Sequence, residues 1–267
     1  MFTSKNYVRA QSLEEAWELN QKKRNRVIGG MLWLKTGKGS YDTVIDLSDL
    51  GLSGITETDD AFEISAMTTL RDLEIHEGLN RYSEGAVREA LQDIVGVQFR
   101  NMATVGGSLY GRYGFSDVLT LFMAMDSYVE LYKGGLVPLS EYASRKPDRD
   151  LLLKLIVRKT PAHFCYRAVR ITKTDIPVLT CACSVLSGKA RAVIGARPGK
   201  AVLVPDEEGI LAGNLPAEAI EAFAGLCAAS VRTGSNARGS AAYRTHLVRV
   251  LVTDNFQKIG GTLGWRS

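Results

Sequence analysis

The sequence has few of the residues that build metal centres or disulfide frameworks, and it lacks the long apolar runs of membrane spans. It contains four cysteines and three histidines in 267 residues, and no apolar run approaches the roughly 20 residues that a membrane-crossing helix needs. The spacing of the cysteines fits neither a metal site nor a disulfide framework. We therefore expect no metal ligands in this chain, four buried free thiols and a reducing, cytoplasmic setting. The cysteines are Cys165, Cys181, Cys183 and Cys227.

The chain also has only a small excess of positive over negative charge. The 33 basic residues exceed the 29 acidic residues by a net charge of +4, and the dense basic run QKKRNR occupies positions 21–26. No aromatic residue interleaves with this run, so it indicates a solvated helix end rather than a nucleic-acid surface. The histidines at 76, 163 and 246 are far apart in sequence. We assign no catalytic residue.

Helix and strand patterns alternate along the chain and indicate three successive units. Ser12 and Glu15 form a capping-box pattern at the start of a predicted helix, and two short apolar segments after it are typical of strands. That order predicts a small α/β unit with parallel strands over residues 1–56. Mixed strands and helices predict an α+β unit over 57–158. Strands followed by amphipathic helices predict a third unit, again α+β, over 159–267.

Gly-Gly pairs occur in two separate segments. The first, IGGMLW, covers 28–33, and the second, TVGGS, covers 104–108. Backbone N–H groups in such a turn can bind an anion, and glycine lets a phosphate approach closely. We expect the second segment to add hydroxyl groups and further free N–H groups. Neither segment matches GxGxxG or GxxxxGK[ST]. Each pair alone is more typical of a plain turn, but together they predict a clamp on the two phosphates of a pyrophosphate.

The second glycine segment belongs to a longer motif. FRNMATVGGS runs from 99 to 108, and Asp117 follows nine residues after Ser108, at the start of a predicted helix. There its carboxylate either caps the helix or accepts hydrogen bonds from a ribose. With three further segments, this motif resembles the FAD-binding medium subunit of the molybdenum hydroxylases, the xanthine dehydrogenase and carbon monoxide dehydrogenase family. The further segments are ISAMTTLRDLE at 64–74, AMDSYVEL at 124–131 and GSAAYRTHLVRVLV at 239–252.

The resemblance implies a fold and a binding site. The implied fold is α+β, a PCMH-type FAD-binding fold of two α/β subdomains plus a C-terminal α+β domain with a three-stranded antiparallel sheet. FAD would lie between the first two units, with its pyrophosphate at the glycine turns and its ribose or adenine end at Asp117. Thr68 is a weaker candidate, because a helix N-cap explains it equally well. Lys173 would touch the isoalloxazine, with a surface lysine as the alternative. The implied turn residues are Val27, Ile28, Gly29, Gly30, Met31, Leu32 and Trp33 on one side and Thr104, Gly106, Gly107 and Ser108 on the other.

The chain also departs from the family pattern near this site. Met31 and Trp33 replace a threonine and a smaller residue, and Ser108 replaces the usual asparagine. The segment 110–115, YGRYGF, is bulky where the family has small residues and a proline. Its side chains either stack near the flavin, contact a partner subunit or partly close the site.

The resemblance implies an electron-transfer role within a heterotrimer. A molybdopterin-binding large subunit would hydroxylate the substrate, which the family suggests is xanthine or another purine or N-heterocycle; nicotinate, aromatic thioesters and carbon monoxide stay open as alternatives. Electrons would then pass through the [2Fe-2S] clusters of a small subunit to FAD and on to an acceptor, NAD⁺ in our expectation. Two alternatives remain open at this stage. One is a flavin-free structural subunit of such a complex, and the other is a flavin or nucleotide protein that works without partners.

Overall fold

The computed structural model describes residues 2–211, 213 and 215–262. Its first elements are strands β1 (Thr3–Arg9), β2 (Asn25–Ile28) and β3 (Ser40–Asp46), helix α1 (Leu13–Gln21) and a 3-10 helix (Ser48–Leu50). The strands form a parallel sheet in the order β1-β3-β2. Helix α1 begins as its sequence predicts, because the Ser12 hydroxyl accepts the Glu15 N–H at 3.1 Å and the Glu15 carboxylate accepts the Gln11 N–H at 2.7 Å.

The second sheet is antiparallel. Its strands are β4 (Ile55–Glu57), β5 (Ala61–Ser65), β6 (Ser127–Leu131), β7 (Gly135–Pro138) and β8 (Leu152–Arg158). They are arranged in the order β4-β5-β8-β6-β7. The helices between them are α2 (Leu70–Ile75), α3 (Glu77–Tyr82), α4 (Ala86–Leu91), α5 (Val97–Arg100), α6 (Val105–Tyr110), α7 (Asp117–Met123) and α8 (Leu139–Ser144). Strand β5 shows the alternation that its sequence predicts, since Phe62 and Ile64 are buried and their neighbours are less so.

The third sheet is also antiparallel and has four strands rather than the three expected. Strands β9 (Ala162–Val169), β10 (Leu179–Leu186), β11 (Lys189–Gly195) and β12 (Val202–Pro205) are arranged in the order β12-β11-β10-β9. The additional strand, β12, pairs with β11 through four residues and ends at a proline. Helices α9 (Ala217–Ser230) and α10 (Ala241–Thr262) pack on this sheet. All four cysteines are free and buried in the core between them.

The hydrophobic cores connect the sheets. One core extends from Phe62 on β5 through helices α2, α3, α4, α6 and α7 to Phe164 and Tyr166 on β9. A smaller core joins Ala16 of α1 to Leu151, which precedes β8. The α+β fold class is therefore as predicted, whereas the unit boundaries after residues 56 and 158 stay a prediction. None of the helices within the described ranges is long and apolar enough to cross a membrane.

Candidate functional site

A cavity of about 560 Å³ opens between the segment that follows β2 and the segment that leads into α6. The loop at 147–152, together with Arg170 and residues 174–177, completes its wall. All the predicted site residues except Thr68 and Lys173 line this cavity. The lining residues predicted from the sequence are Val27, Ile28, Gly29, Gly30, Met31, Leu32, Trp33, Thr104, Gly106, Gly107, Ser108 and Asp117.

The two glycine segments touch each other at the cavity wall. A Cβ atom added to Gly30 would lie 1.7 Å from the carbonyl oxygen of Met102. A Cβ added to Gly29 would lie 2.6 Å from the hydroxyl of Thr104. Both distances are far below van der Waals contact, so only glycine allows the first turn to lie against the second segment. Segments more than 70 residues apart in the printed sequence therefore form one wall.

The first turn presents a row of unused N–H groups. Among the hydrogen bonds of the described residues, none is donated by the backbone N–H groups of Gly30, Met31, Leu32 or Trp33. Met31 has a φ of +60°, a left-handed conformation that is uncommon for a residue with a side chain. A left-handed residue beside others of ordinary conformation can turn successive N–H groups toward one point, which makes a concavity suited to an anion. The turn can therefore bind a phosphate through its backbone.

The second segment uses its N–H groups within the protein. The Gly106 N–H donates to the Ala66 carbonyl at 2.7 Å, and the Ser108 N–H donates to the Thr104 carbonyl at 3.0 Å. The Thr104 hydroxyl accepts the Gly107 N–H at 3.1 Å. The expectation of further free N–H groups here was wrong, because the chain is already the start of helix α6 with Thr104 as its N-cap. The chain just before and at the start of this segment, Met102 to Thr104, instead supplies the surface against which the first turn lies.

A buried ion pair holds the chain that leads into this second segment. The Nε and Nη2 of Arg100, on α5, donate to the Glu74 carboxylate of α2 at 2.7 Å and 3.2 Å. Burial alone would raise the pKa of Glu74, but hydrogen bonds from Arg100 and Arg71 outweigh it and lower that pKa. The pair fixes α5 against α2.

Asp117 is the first residue of α7 but does not cap it. The cap is Ser116, whose hydroxyl accepts the Leu119 N–H at 3.1 Å. The Asp117 Oδ1 instead accepts hydrogen bonds from the Tyr166 hydroxyl at 2.5 Å and from Arg170 Nη2 at 2.6 Å. Burial raises the pKa of Asp117, while the positive charge of Arg170 opposes that rise. Both bonds go to Oδ1, so Oδ2 is the oxygen available to a ligand in the cavity.

Two predicted residues lie outside the cavity lining. Thr68 is buried, and its hydroxyl donates to the Gly54 carbonyl at 2.8 Å and accepts the Gly54 N–H at 3.0 Å. The N-cap of α2 is the next residue, Thr69. The N-cap role offered as the alternative for Thr68 therefore belongs to its neighbour. The Lys173 side chain is 82% exposed, with its Nζ 3.9 Å from an Asp93 carboxylate oxygen. Their assignment to the site stays a prediction.

The sequence did not reveal the group of aromatic side chains in the cavity wall. The Trp33 ring centroid lies 5.9 Å from that of Phe99, 5.5 Å from that of Phe115 and 6.5 Å from that of Tyr113. Tyr113 and Phe115 are stacked with centroids 5.3 Å apart. We call these four residues the aromatic cluster. The bulky 110–115 segment was a signal for two of them, but nothing in the sequence paired it with Trp33 or Phe99.

A polar part of the wall was also missed. Arg26 lines the cavity and forms no ion pair among the described residues, and its buried Nε has no hydrogen-bond partner there. Nearby, the Tyr110 hydroxyl donates to the Asp148 carbonyl at 2.6 Å. Arg149 donates to the carbonyl oxygens of Asn20 at 2.6 Å and Lys22 at 2.9 Å. The Tyr110 bond holds this 147–152 segment against α6, and the Arg149 bonds hold it against the end of α1, more than 120 residues away in the printed sequence.

Comparison with known proteins agrees with this architecture. The family model described as FAD binding domain in molybdopterin dehydrogenase matches residues 2–159. The model described as CO dehydrogenase flavoprotein C-terminal domain matches residues 164–259. Among curated proteins, the chain is 27% identical over 255 residues to the uncharacterized protein YgfM of Escherichia coli K12, with 93% of each chain covered.

Solved structures show the same fold. A chain of the carbon monoxide dehydrogenase from Hydrogenophaga pseudoflava superposes with a TM-score of 0.86 at 21% identity, covering 95% of this chain and 96% of that one. A chain of quinoline 2-oxidoreductase from Pseudomonas putida 86 superposes with a TM-score of 0.84 at 17% identity, covering 96% and 97%. With the first family model matching more than half of its length, the chain belongs to the FAD-binding subunits of the molybdenum hydroxylases, the molybdopterin dehydrogenase family.

Proposed function

We propose that this chain is the FAD-carrying electron-transfer subunit of a molybdenum hydroxylase complex. The observation that carries the proposal is the turn at Gly30–Trp33, whose N–H groups donate no hydrogen bond among the described residues and whose residues line a cavity of cofactor size. When bound, FAD supplies the redox chemistry, and the protein supplies position and electrostatics. The chain's own residues would hold the cofactor, orient it and exclude water from it.

The residues of the cavity fit FAD chemically. The pyrophosphate carries negative charge, and the N–H groups of Gly30 to Trp33 have no acceptor among the described residues. The cavity volume of about 560 Å³ falls within the range of about 300–1,000 Å³ that is usual for such sites. We propose that the first turn binds the phosphates over the surface of Gly107 and Ser108. Asp117 Oδ2 would accept a hydrogen bond from a ribose hydroxyl.

We further propose the partners and the acceptor. The chain would assemble with a molybdopterin-binding large subunit and a [2Fe-2S] small subunit in a cytoplasmic heterotrimer, accept electrons from the small subunit and pass them to NAD⁺. The similar chain in carbon monoxide dehydrogenase and the similar chain in quinoline 2-oxidoreductase support the assembly. Since quinoline is an N-heterocycle, a purine such as xanthine or another N-heterocycle is our proposed substrate class for the large subunit.

The first test is the flavin content of the purified chain. We expect a yellow protein that releases about one FAD per chain when it is denatured. A colourless preparation that takes up no added FAD would contradict the proposal and favour the flavin-free structural subunit. A chain that binds FAD but copurifies with no large or small subunit after co-expression would favour a protein that works alone.

The second test concerns the acceptor. NADH should reduce the bound FAD under anaerobic conditions, because hydride transfer between NADH and flavin is reversible. We expect NADH to bleach the flavin absorption, while dithionite serves as the positive control. Bleaching by dithionite but not by NADH would reject NAD⁺ as the acceptor and leave FAD binding intact.

A further inference from the structure

Asp117 is a buried acid whose charge depends on one neighbour. Its side chain is 6% exposed and that of Arg170 is 8% exposed, and Arg170 Nη2 donates to the Asp117 Oδ1 at 2.6 Å. Within the part of the chain that the structure describes, Asp117 forms no other ion pair. A buried carboxylate without a charge partner takes up a proton instead of staying ionised. Arg170 is therefore the residue that decides the charge state of this acid.

The partners of Asp117 come from a different part of the fold. Asp117 begins α7, which the chain forms between two strands of the second sheet. Tyr166 lies on β9 of the third sheet, and Arg170 directly follows that strand. Both donate to the same oxygen, Oδ1. The third sheet thus supplies the groups that hold a cavity residue of the second.

Arg170 is itself fixed on both sides. Its Nη1 donates to the Asp175 carbonyl oxygen at 2.7 Å. The Asp175 carboxylate in turn accepts hydrogen bonds from the Ile176 N–H at 2.7 Å and from Arg238 Nη2 at 3.0 Å. Because both terminal nitrogens of Arg170 donate within the protein, Arg170 acts on a ligand through Asp117.

We propose that Arg170 is a positioning residue that, together with Tyr166, keeps Asp117 ionised so that its Oδ2 accepts a hydrogen bond from a ribose hydroxyl of FAD. This inference rests on the proposed function. The two bonds at Oδ1 fix the plane of the carboxylate and leave Oδ2 for the ligand. A charged acceptor makes a shorter and stronger hydrogen bond than a neutral one. The third sheet therefore contributes to cofactor affinity through a charge.

Two opposing effects set the protonation of Asp117. Burial raises its pKa, and the positive charge of Arg170 is the largest cause that lowers it. When Arg170 is replaced by a neutral residue, burial acts without that opposition, so the pKa of Asp117 rises further. Since Oδ2 loses its charge as the pH falls through that pKa, FAD binding should weaken at a higher pH than in the wild type.

The other titratable groups near Asp117 keep their charge state. Burial raises the pKa of Tyr166 well above its usual value, with the charge of Asp117 and the nearby Cys181 thiol adding to the rise, so its hydroxyl stays a donor. The hydrogen bond from Arg238 lowers the pKa of Asp175, and the resulting negative charge is paired with that arginine. Any pH dependence of the Oδ2 contact therefore reports on Asp117.

The pH dependence of FAD binding tests the proposal. The full chain, freed of flavin, is titrated with FAD by calorimetry between about pH 5 and pH 9. We expect the pH at which affinity changes to lie at least about one unit higher in Arg170→Gln than in the wild type. Below that pH, the affinity of Arg170→Gln for FAD should be roughly 5- to 15-fold weaker, because a charge-assisted hydrogen bond is about twice as strong as a neutral one. Arg170→Lys keeps the charge and should restore most of the wild-type profile.

Infrared spectroscopy of the flavin-free chain measures the protonation itself. A protonated carboxyl group has a carbonyl stretching band that an ionised carboxylate lacks. At neutral pH we expect this band in the difference spectrum of Arg170→Gln against the wild type. It should disappear when Asp117→Asn is added to Arg170→Gln. The measurement needs no FAD, so it tests the role of Arg170 separately from cofactor binding.

Further variants separate charge from folding. Tyr166→Phe removes one donor but not the cation, so it should move the pH profile in the same direction and by less. It also carries the test if Arg170→Gln unfolds. Arg249→Gln is the matched control, because it breaks an exposed ion pair with Glu221 outside the cavity lining. It should change neither the pH profile nor the infrared spectrum.

The remaining outcomes overturn the inference. If Arg170→Gln weakens FAD binding equally at every pH, or leaves it unchanged, Arg170 does not act through the charge of Asp117. A carboxyl band from Asp117 in the wild type as strong as in Arg170→Gln means that Arg170 does not keep the acid ionised. A wild-type chain that binds no FAD at any pH rejects the proposed function instead, and the infrared result then decides whether Arg170 controls the charge of Asp117.

Discussion

Gly30→Ala tests the close contact between the first glycine turn and the chain that leads into the second glycine segment. The new Cβ would lie 1.7 Å from the Met102 carbonyl oxygen and 2.5 Å from its carbon. To reach an ordinary contact of about 3.5 Å, the two segments must separate by roughly 1.5–2 Å. Gly30 does not have a positive φ, so the alanine meets a steric clash and not a forbidden backbone conformation. Overpacking of this kind typically costs about 1–3 kcal/mol.

The cost should appear in both stability and FAD binding. If displacement of the turn reduces the free energy of FAD binding by the same amount, FAD affinity falls roughly 5- to 150-fold, at about 1.4 kcal/mol for each factor of ten. Urea unfolding of the flavin-free chain and titration with FAD measure the two effects. The matched control is Gly225→Ala on α9, where an added Cβ meets no atom within 4 Å. That change should stabilise the helix by up to about 1 kcal/mol and leave FAD affinity unchanged. A Gly30→Ala chain with wild-type stability and affinity would refute the reasoning.

Three further predictions concern two buried groups of the second unit and the first turn itself. Arg100→Ala should lower the free energy of unfolding, measured in urea, by about 3–5 kcal/mol, because it removes the main partner of the buried Glu74 carboxylate. Arg71 retains its contact with Glu74 in this variant. A loss below about 1 kcal/mol would contradict this account. Burial raises the pKa of Tyr82 to about 12, while the unfolded chain loses that proton near pH 10. Stability should therefore fall as the pH rises from 10 to 12, and less steeply in Tyr82→Phe; equal slopes would count against the burial of this hydroxyl. Met31→Gly should retain FAD affinity within about threefold, because backbone groups make the contact. Met31→Pro should lose at least about tenfold in FAD affinity, since proline has no N–H and cannot adopt the positive φ. Similar affinities for both variants would argue against backbone binding.

Local patterns in the sequence predicted the features that depend on neighbouring residues. The capping box at Ser12 and Glu15 forms as expected because both partners lie within one helical turn. Strand β5 follows its alternation, with Phe62 and Ile64 buried. Both features depend only on residues that are close together in the sequence, so a short pattern is enough to predict them.

The failures concern hydrogen-bond partners and neighbours that only tertiary packing provides. The Gly106 N–H of the second glycine segment is used because Ala66, the residue after β5, accepts it. Thr68 is satisfied by Gly54 across a loop. Strand β12 forms because an exposed edge of β11 is available to it. The aromatic cluster joins four rings that span more than 80 residues in the printed sequence, and no short-range pattern encodes such a contact.

Hydrogen exchange of the backbone tests the central claim most directly. Amide exchange is followed by mass spectrometry on the full chain with and without saturating FAD. We predict that peptides covering the first turn, residues 29–33, gain protection when FAD binds, because their free N–H groups then acquire phosphate acceptors. Peptides from α9, remote in sequence from that turn and outside the cavity lining, should exchange as before. FAD binding that leaves the 29–33 amides unprotected would contradict the account.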